Sequence, residues 1–164
     1  MTELRPPSTA LLDKYTGRDF LPLYHATVMV TGGETGHGRA SGIACSQEGD
    51  LAVDLRMPKD LEGPGGGPNP EQLFAAGYAA CFHGAMFLLA TRAGIPITDA
   101  KVEAHVEFGR DPIDGLYMLT AELRVHLPGL DDALAEELIR QTERVCPYSK
   151  MVRQGIRHIT VKAD

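Results

Sequence analysis

Eighteen consecutive residues, Leu73 to Ala90, carry no formal charge. About 18 such residues is the lower limit for crossing a bilayer. The run nevertheless reads as a core helix. It is built of Ala and Gly more than Leu and Ile, it contains His83, and strand-like segments lie on both sides. A helix that is apolar all round is buried, in a large core or in a membrane. One thin sheet cannot cover every face of such a helix, which favours a second subunit beside it. A single chain of 164 residues buries roughly 68–70% of its unfolded surface, enough for a full core without staples. Hydrophobic residues are 43% and charged residues 23%, ordinary globular usage.

The formal net charge is −6, from 16 basic and 22 acidic residues, with no tight lysine/arginine cluster. Nucleic acid is not an expected partner, because binding it needs a concentrated basic patch. Three cysteines, Cys45, Cys81 and Cys146, are too few for a disulfide scaffold, and an odd count leaves a free thiol. The first twenty residues include Glu3, Arg5, Asp13, Lys14 and Arg18 and no apolar stretch of signal-peptide length. The expectation is a cytoplasmic protein that does not engage a membrane.

Residues 1–22 are interrupted by Pro6, Pro7, Gly17 and Pro22 and read as an extension; 23–164 read as one domain. A first strand is expected over Tyr24–Thr31, then a glycine-dense turn, Gly32-Gly33-Glu34-Thr35-Gly36-His37-Gly38-Arg39. A second strand follows around Leu51, Val53 and Leu55. Residues 57–70 are a Gly/Pro loop without the βαβ context of a nucleotide-binding fingerprint. Asn69, Pro70 and Gln72 then provide an N-cap, a first helical residue and a capping-box partner. That helix runs to about Arg92, where Gly94 and Pro96 end it. Val102, Ala104, Val106 and Phe108 alternate with polar residues, as do Leu119, Ala121, Leu123, Val125 and Leu127, so a hairpin is expected about a 111–115 turn. A second helix spans about Asp131–Val145, a short helix follows, and Ile159 and Val161 suggest a closing strand. Strands grouped around helices give an α+β fold.

Cys81 on its own reads as a buried core thiol, since free cysteine is among the most buried residue types. Cys146, at a helix end before a proline, reads as structural too. Six histidines and three cysteines form no C-x-x-C and no H-x-x-x-H, which leaves a metal site unsupported, and no G-x-S-x-G supports a serine hydrolase. Cys45 reads as a bystander. His83 sits two residues from Cys81, about 200° round the helix, and faces elsewhere.

Together, however, the two cysteine segments are distinctive. Asn69-Pro-Glu-Gln-Leu-Phe-Ala-Ala-Gly-Tyr-Ala-Ala-Cys81-Phe and Val145-Cys146-Pro-Tyr-Ser149 closely resemble the two cysteine motifs of the organic hydroperoxide resistance (Ohr) proteins, in the Ohr/OsmC family. Thr31-Gly-Gly33 and Leu127-Pro-Gly-Leu130 are similar to that family as well, and the likeness covers residues 24–162. The resemblance implies an OsmC-like fold, with antiparallel sheets wrapped around long central helices in an interlocked homodimer. It implies a thiol peroxidase with no metal, flavin or haem cofactor, acting on organic or lipid hydroperoxides. In that role Cys81 is the peroxidatic cysteine and Cys146 the resolving one. A dithiol reductant, in this family a lipoylated protein, regenerates both. Two rival readings stay open: an OsmC-type peroxidase of broader specificity, and a non-catalytic small-molecule binder on the same fold. A third makes the two cysteines a permanent staple.

A free thiol of pKa near 8.5 is only about 3% thiolate at pH 7. Moving it to about 6 takes roughly 3.4 kcal/mol of preferential stabilisation of the thiolate, which a partly desolvated guanidinium can supply. The family arginine follows its Gly-Gly turn. Here Glu34 stands at that place, and Arg39 is the only arginine in the turn region. Arg39 is therefore assigned the activating role, with His37 a weaker competitor. Glu71 matches the family glutamate that orients this arginine; its ordinary use is to complement the helix dipole. Ten helical residues place Glu71 about 15 Å from Cys81. Either the helix starts late or the site joins two subunits. Tyr78, Phe82 and Tyr148 are the expected substrate-binding residues, an apolar surround that favours organic over hydrogen peroxide.

Overall fold

Helix α1 spans Pro70–Ala93, 24 residues. Its start is written locally. The Asn69 side chain accepts from the Gln72 backbone N–H at 2.9 Å, and Gln72 Oε1 accepts from the Asn69 N–H at 3.1 Å. This reciprocal pair satisfies two backbone donors that the helix cannot pair internally. The computed structural model describes residues 4–33 and 41–163. They fall into two compact units, and α1 contributes residues to both.

The first unit comprises residues 1–14, 75–105 and 120–164. Its core is one face of α1 (Met86, Leu89, Ala90 and Ala93) with Ile95 and Leu138. The buried α1 positions Tyr78, Phe82, Ala85, Met86, Leu89, Ala90 and Ala93 follow helical spacing. Full burial of a side chain such as Leu138 contributes about 1.5–3 kcal/mol. Leu138 lies on helix α2 (Asp132–Val145), whose N-cap Asp131 accepts from Leu134 N–H at 3.1 Å. Helix α3 (Pro147–Gln154) follows at once, with Pro147 suited to its first turn. Residues 4–13 are tied to this unit. Arg5 N–H donates to Ala93 O at 2.8 Å, Pro7 is buried, and Leu11 and Leu12 pack on the core.

The second unit comprises residues 15–74 and 106–119. Strands β1 (Val28–Thr31), β2 (Gly42–Ser46) and β3 (Ala52–Leu55) form an antiparallel sheet in that order. The register pairs Val28 with Ser46, Thr31 with Ile43 and Cys45 with Ala52. Gly42 is required there: its φ is +105°, and a Cβ would meet Thr31 O at 2.7 Å. Strands β4 (Lys101–Arg110) and β5 (Tyr117–His126) form a separate two-stranded sheet. In its tip, Phe108 and Tyr117 stack at 5.0 Å and Arg110 sits 4.0 Å over Tyr117.

The α+β class, α1, the hairpin and both later helices agree with the sequence. Three details differ. β1 begins at Val28 rather than Tyr24, and β2 lies where no strand is expected, between the glycine-dense turn and Leu51. Ile159 and Val161 form no strand; they are 73% and 93% exposed. Alternation is necessary for a strand but not sufficient, because backbone groups need a neighbouring strand to bond.

Candidate active site

Cys81 lies near the middle of α1, three turns beyond its capping box. Cys146 lies at the α2–α3 junction and is tethered on both sides. Its N–H donates to Thr142 O at 2.9 Å, and its carbonyl accepts from Lys150 N–H at 3.1 Å. As C-cap of one helix and N-cap of the next, its backbone has little freedom. The two sulfurs meet. The Cys146 thiol donates to Cys81 Sγ at 3.5 Å, across 65 residues of sequence. Both are free thiols; Cys146 is 0% exposed, whereas Cys81 is half-buried. A disulfide measures about 2.05 Å, so closing it takes a movement of about 1.5 Å.

Burial pushes the Cys81 thiol above its ordinary range. The Tyr148 backbone N–H, donating to the sulfur, pulls the other way, and the Cys146 thiol beside it pushes up again. Among the described residues no guanidinium or ammonium is one of these causes. Arg39 and His37 lie outside the described residues.

Tyr78 is one turn before Cys81 and Ser149 one turn after Cys146. Their hydroxyls hydrogen-bond at 3.2 Å in the interior. Tyr78 also stacks on Tyr148 at 6.1 Å, with 24° between the rings. Phe82 is buried beside Cys81 in the chain. Three further contributions come from residues inside the two cysteine segments. Ser149 supplies the hydroxyl partner, the Tyr148 amide reaches Cys81, and Gly77 makes room for the Tyr148 ring: a Cβ on it would meet Tyr148 Oη at 2.9 Å. Their signal is their place in those segments, Gly77 four residues before Cys81 and Ser149 three after Cys146.

Glu71 is half-buried in the first turn of α1. Because α1 starts at Pro70, the late-start alternative is gone. His83 packs against Phe87 at 4.6 Å, as a residue turned from Cys81 should. Cys45 is exposed on β2. Among the described residues no group of His, Cys, Asp and Glu is arranged to hold a metal ion.

Comparison with other proteins places the chain in a family. Residues 63–161 match the model of the OsmC-like protein family. An organic hydroperoxide resistance protein of Xanthomonas axonopodis pv. citri is 40% identical over 131 residues, 79% of this chain and 91% of that one. The chain belongs to the Ohr/OsmC family. Within it, the organic hydroperoxide resistance protein OhrB of Bacillus subtilis is 38% identical over 136 residues, covering 83% of this chain and 95% of its own. The crystal structure of an organic hydroperoxide resistance protein from Legionella pneumophila superposes with a TM-score of 0.73 at 37% identity, over 82% of this chain and 93% of that one. The fold of this Ohr/OsmC member, antiparallel sheets with a long helix, is that of the family.

Proposed function

We propose that this protein is a thiol-dependent peroxidase that reduces organic hydroperoxides to alcohols and so protects against organic peroxide stress. The Cys81 thiolate attacks one peroxide oxygen. The O–O bond breaks, the alkoxide leaves and takes a proton as the alcohol, and Cys81 becomes a sulfenic acid. Cys146 then attacks that sulfur, hydroxide departs as water, and a Cys81–Cys146 disulfide forms. A dithiol, which we take to be a lipoyl group on a carrier protein, reduces it by two exchanges. Arg39 stabilises the thiolate, Glu71 orients Arg39, and Tyr78, Phe82 and Tyr148 form the apolar surround that takes the substrate. No metal or organic cofactor enters the scheme.

The observation that carries this reading is the 3.5 Å approach of two free thiols that stand 65 residues apart. A homodimer in the reducing cytoplasm, with 23–164 as the working domain, completes the reading. Its support is on α1. The core face leaves Ala76, Ala80 and Gly84 exposed on another side with Leu88, at 45% exposure, and nothing lies within 4 Å of a Cβ on Gly84. A second copy of this helix face is a natural cover, and it also brings a Glu71 to a Cys81 that its own chain holds about 15 Å along the helix.

Single-turnover oxidation tests the scheme. Cys81→Ser should abolish peroxidase activity. Cys146→Ser should consume one equivalent of cumene hydroperoxide, accumulate sulfenic acid and stop unless a small thiol is added. A Cys81→Ser variant that consumes its equivalent of hydroperoxide as fast as Cys146→Ser sinks the proposal. The burial that raises the Cys81 thiol keeps a second reading in play, a non-catalytic binder of the same fold. It requires a thiol pKa above about 8 and no fast disulfide after peroxide addition.

A further inference from the structure

The charge on this chain is unevenly spread. Residues 140–162 hold six of the 16 basic residues and one of the 22 acidic ones, an excess of five positive charges in 23 residues. The remaining 141 residues carry ten basic and 21 acidic side chains. No two basic residues in the segment are adjacent, so it does not show as a run. It surrounds Cys146.

The fold gathers part of this charge at a cavity. A hollow of about 360 Å³ is lined by Glu143, Arg144, Ser149, Lys150, Arg153 and Gln154, where α2 hands over to α3. Arg153 is held by Glu143, its Nε donating at 2.7 Å. Among the described residues Arg144 has a 3.4 Å bond to Gln141 Oε1 and acts on the Glu137 carboxylate through charge alone, and neither Arg144 nor Lys150 forms an ion pair. Two exposed cations therefore face the concavity without being ion-paired. Ser149 in its wall is the residue bonded to Tyr78, one turn from Cys146. The cationic hollow and the thiol pair are separated by that one hydrogen-bonded layer.

We propose that this flank, Arg144, Lys150 and the Arg153–Glu143 pair at the α2–α3 junction, is the docking surface for an acidic protein that delivers the dithiol reductant. The proposal rests on the redox reading above. A chain of net charge −6 repels an acidic partner in general, so a local positive face decides where such a partner lands. An uncharged hydroperoxide such as cumene hydroperoxide gains nothing from two cations. A macromolecule that must bring a flexible dithiol to a mostly buried sulfur pair gains both orientation and encounter rate. The exchange is balanced: one thiolate of the dithiol attacks a sulfur of the Cys81–Cys146 bond and expels the other as thiolate, and the second thiol closes the cyclic disulfide and releases the first cysteine.

The test uses the full chain, oxidised with one equivalent of cumene hydroperoxide. Two synthetic peptides, each with one dihydrolipoyl-lysine, serve as reductants; four glutamates flank it in one and four glutamines in the other. At low ionic strength the glutamate peptide should reduce the disulfide about tenfold faster. That advantage should vanish in about 1 M salt, where screening shortens to about 3 Å. It should also vanish in Arg144→Glu/Lys150→Glu, and shrink in Lys150→Gln, while uncharged dihydrolipoamide reduces all of them at one rate. Equal rates for the two peptides on the unaltered chain overturn the proposal. So does an advantage that survives both substitutions, or salt-sensitive retention on phosphatidylserine vesicles without discrimination between the peptides. A disulfide that forms but resists dihydrolipoamide overturns the redox reading itself, and the docking surface with it.

Discussion

At the scale of single residues, Cys81 presents a conflict between burial and reactivity. Its interior position raises the pKa, and among the described residues the one compensation is a neutral backbone donor from Tyr148. Raising a thiol pKa favours the protonated form, so at neutral pH this surround alone leaves Cys81 with less thiolate than a free cysteine. A cation must reverse the sign, and we assign that to Arg39. Arg39→Ala should then move the pH profile of Cys81 alkylation upward, into and beyond the ordinary cysteine range. The share of thiolate at pH 7 should fall, and the peroxide step should slow by the same factor as the alkylation rate at that pH. Thermal stability should change little. Iodoacetamide rates between pH 5 and 10 measure this directly, and an unmoved profile removes Arg39 from the scheme.

Among elements, the site depends on how α3 rests against α1. The Tyr148 ring occupies the space that Gly77 leaves, while the Tyr148 amide faces Cys81 and the neighbouring Ser149 hydroxyl holds Tyr78. Gly77→Ala improves helix propensity by about 1 kcal/mol, yet its Cβ collides with the ring end at 2.9 Å. The expected outcome is a protein of near-native stability in which α3 is displaced by a fraction of an ångström. Sulfenic acid formation should persist, and closure of the disulfide should slow by about tenfold, since small misplacements of reacting groups carry large rate penalties. Stopped-flow fluorescence with one equivalent of hydroperoxide separates the two phases; slowing confined to the first phase contradicts the account.

The same elements show what a sequence can convey. The α1 start was legible because Asn69, Pro70 and Gln72 act on one another within a single turn. The cysteine pair was legible only through family resemblance; nothing in the spacing of Cys81 and Cys146 says that they touch. β2 escaped because Gly42, Ala44 and Ser46 have weak strand preference, and its pairing with β1 and β3 is a non-local fact. Residues 4–13 read as unattached since their docking uses a backbone bond from Arg5, a buried Pro7 and two leucines rather than any periodic face. Ile159 and Val161 misled in the opposite direction, for period-two alternation cannot report whether a neighbouring strand exists.

For the whole molecule, the decisive question is whether one chain can assemble the site. α1 runs unbroken from Pro70 to Ala93, so Glu71 and Cys81 of the same chain stay about 15 Å apart along it. A glutamate that orients the activating arginine at Cys81 must then come from a second copy, across a two-fold axis that brings the same two helices together twice. This makes a sharp prediction for mixed dimers. Cys81→Ser and Glu71→Ala chains should each be nearly inactive alone. After co-refolding in equal amounts, half of the dimers contain one of each, and in those dimers one site pairs an intact Cys81 with an intact Glu71. Activity should recover to about one quarter of the unsubstituted value. If both residues serve the site of their own chain, every mixed dimer has one site without the cysteine and one without the glutamate, and co-refolding restores nothing. Sedimentation of the mixture shows that dimers have formed, so a missing recovery then speaks against the shared site and not against assembly.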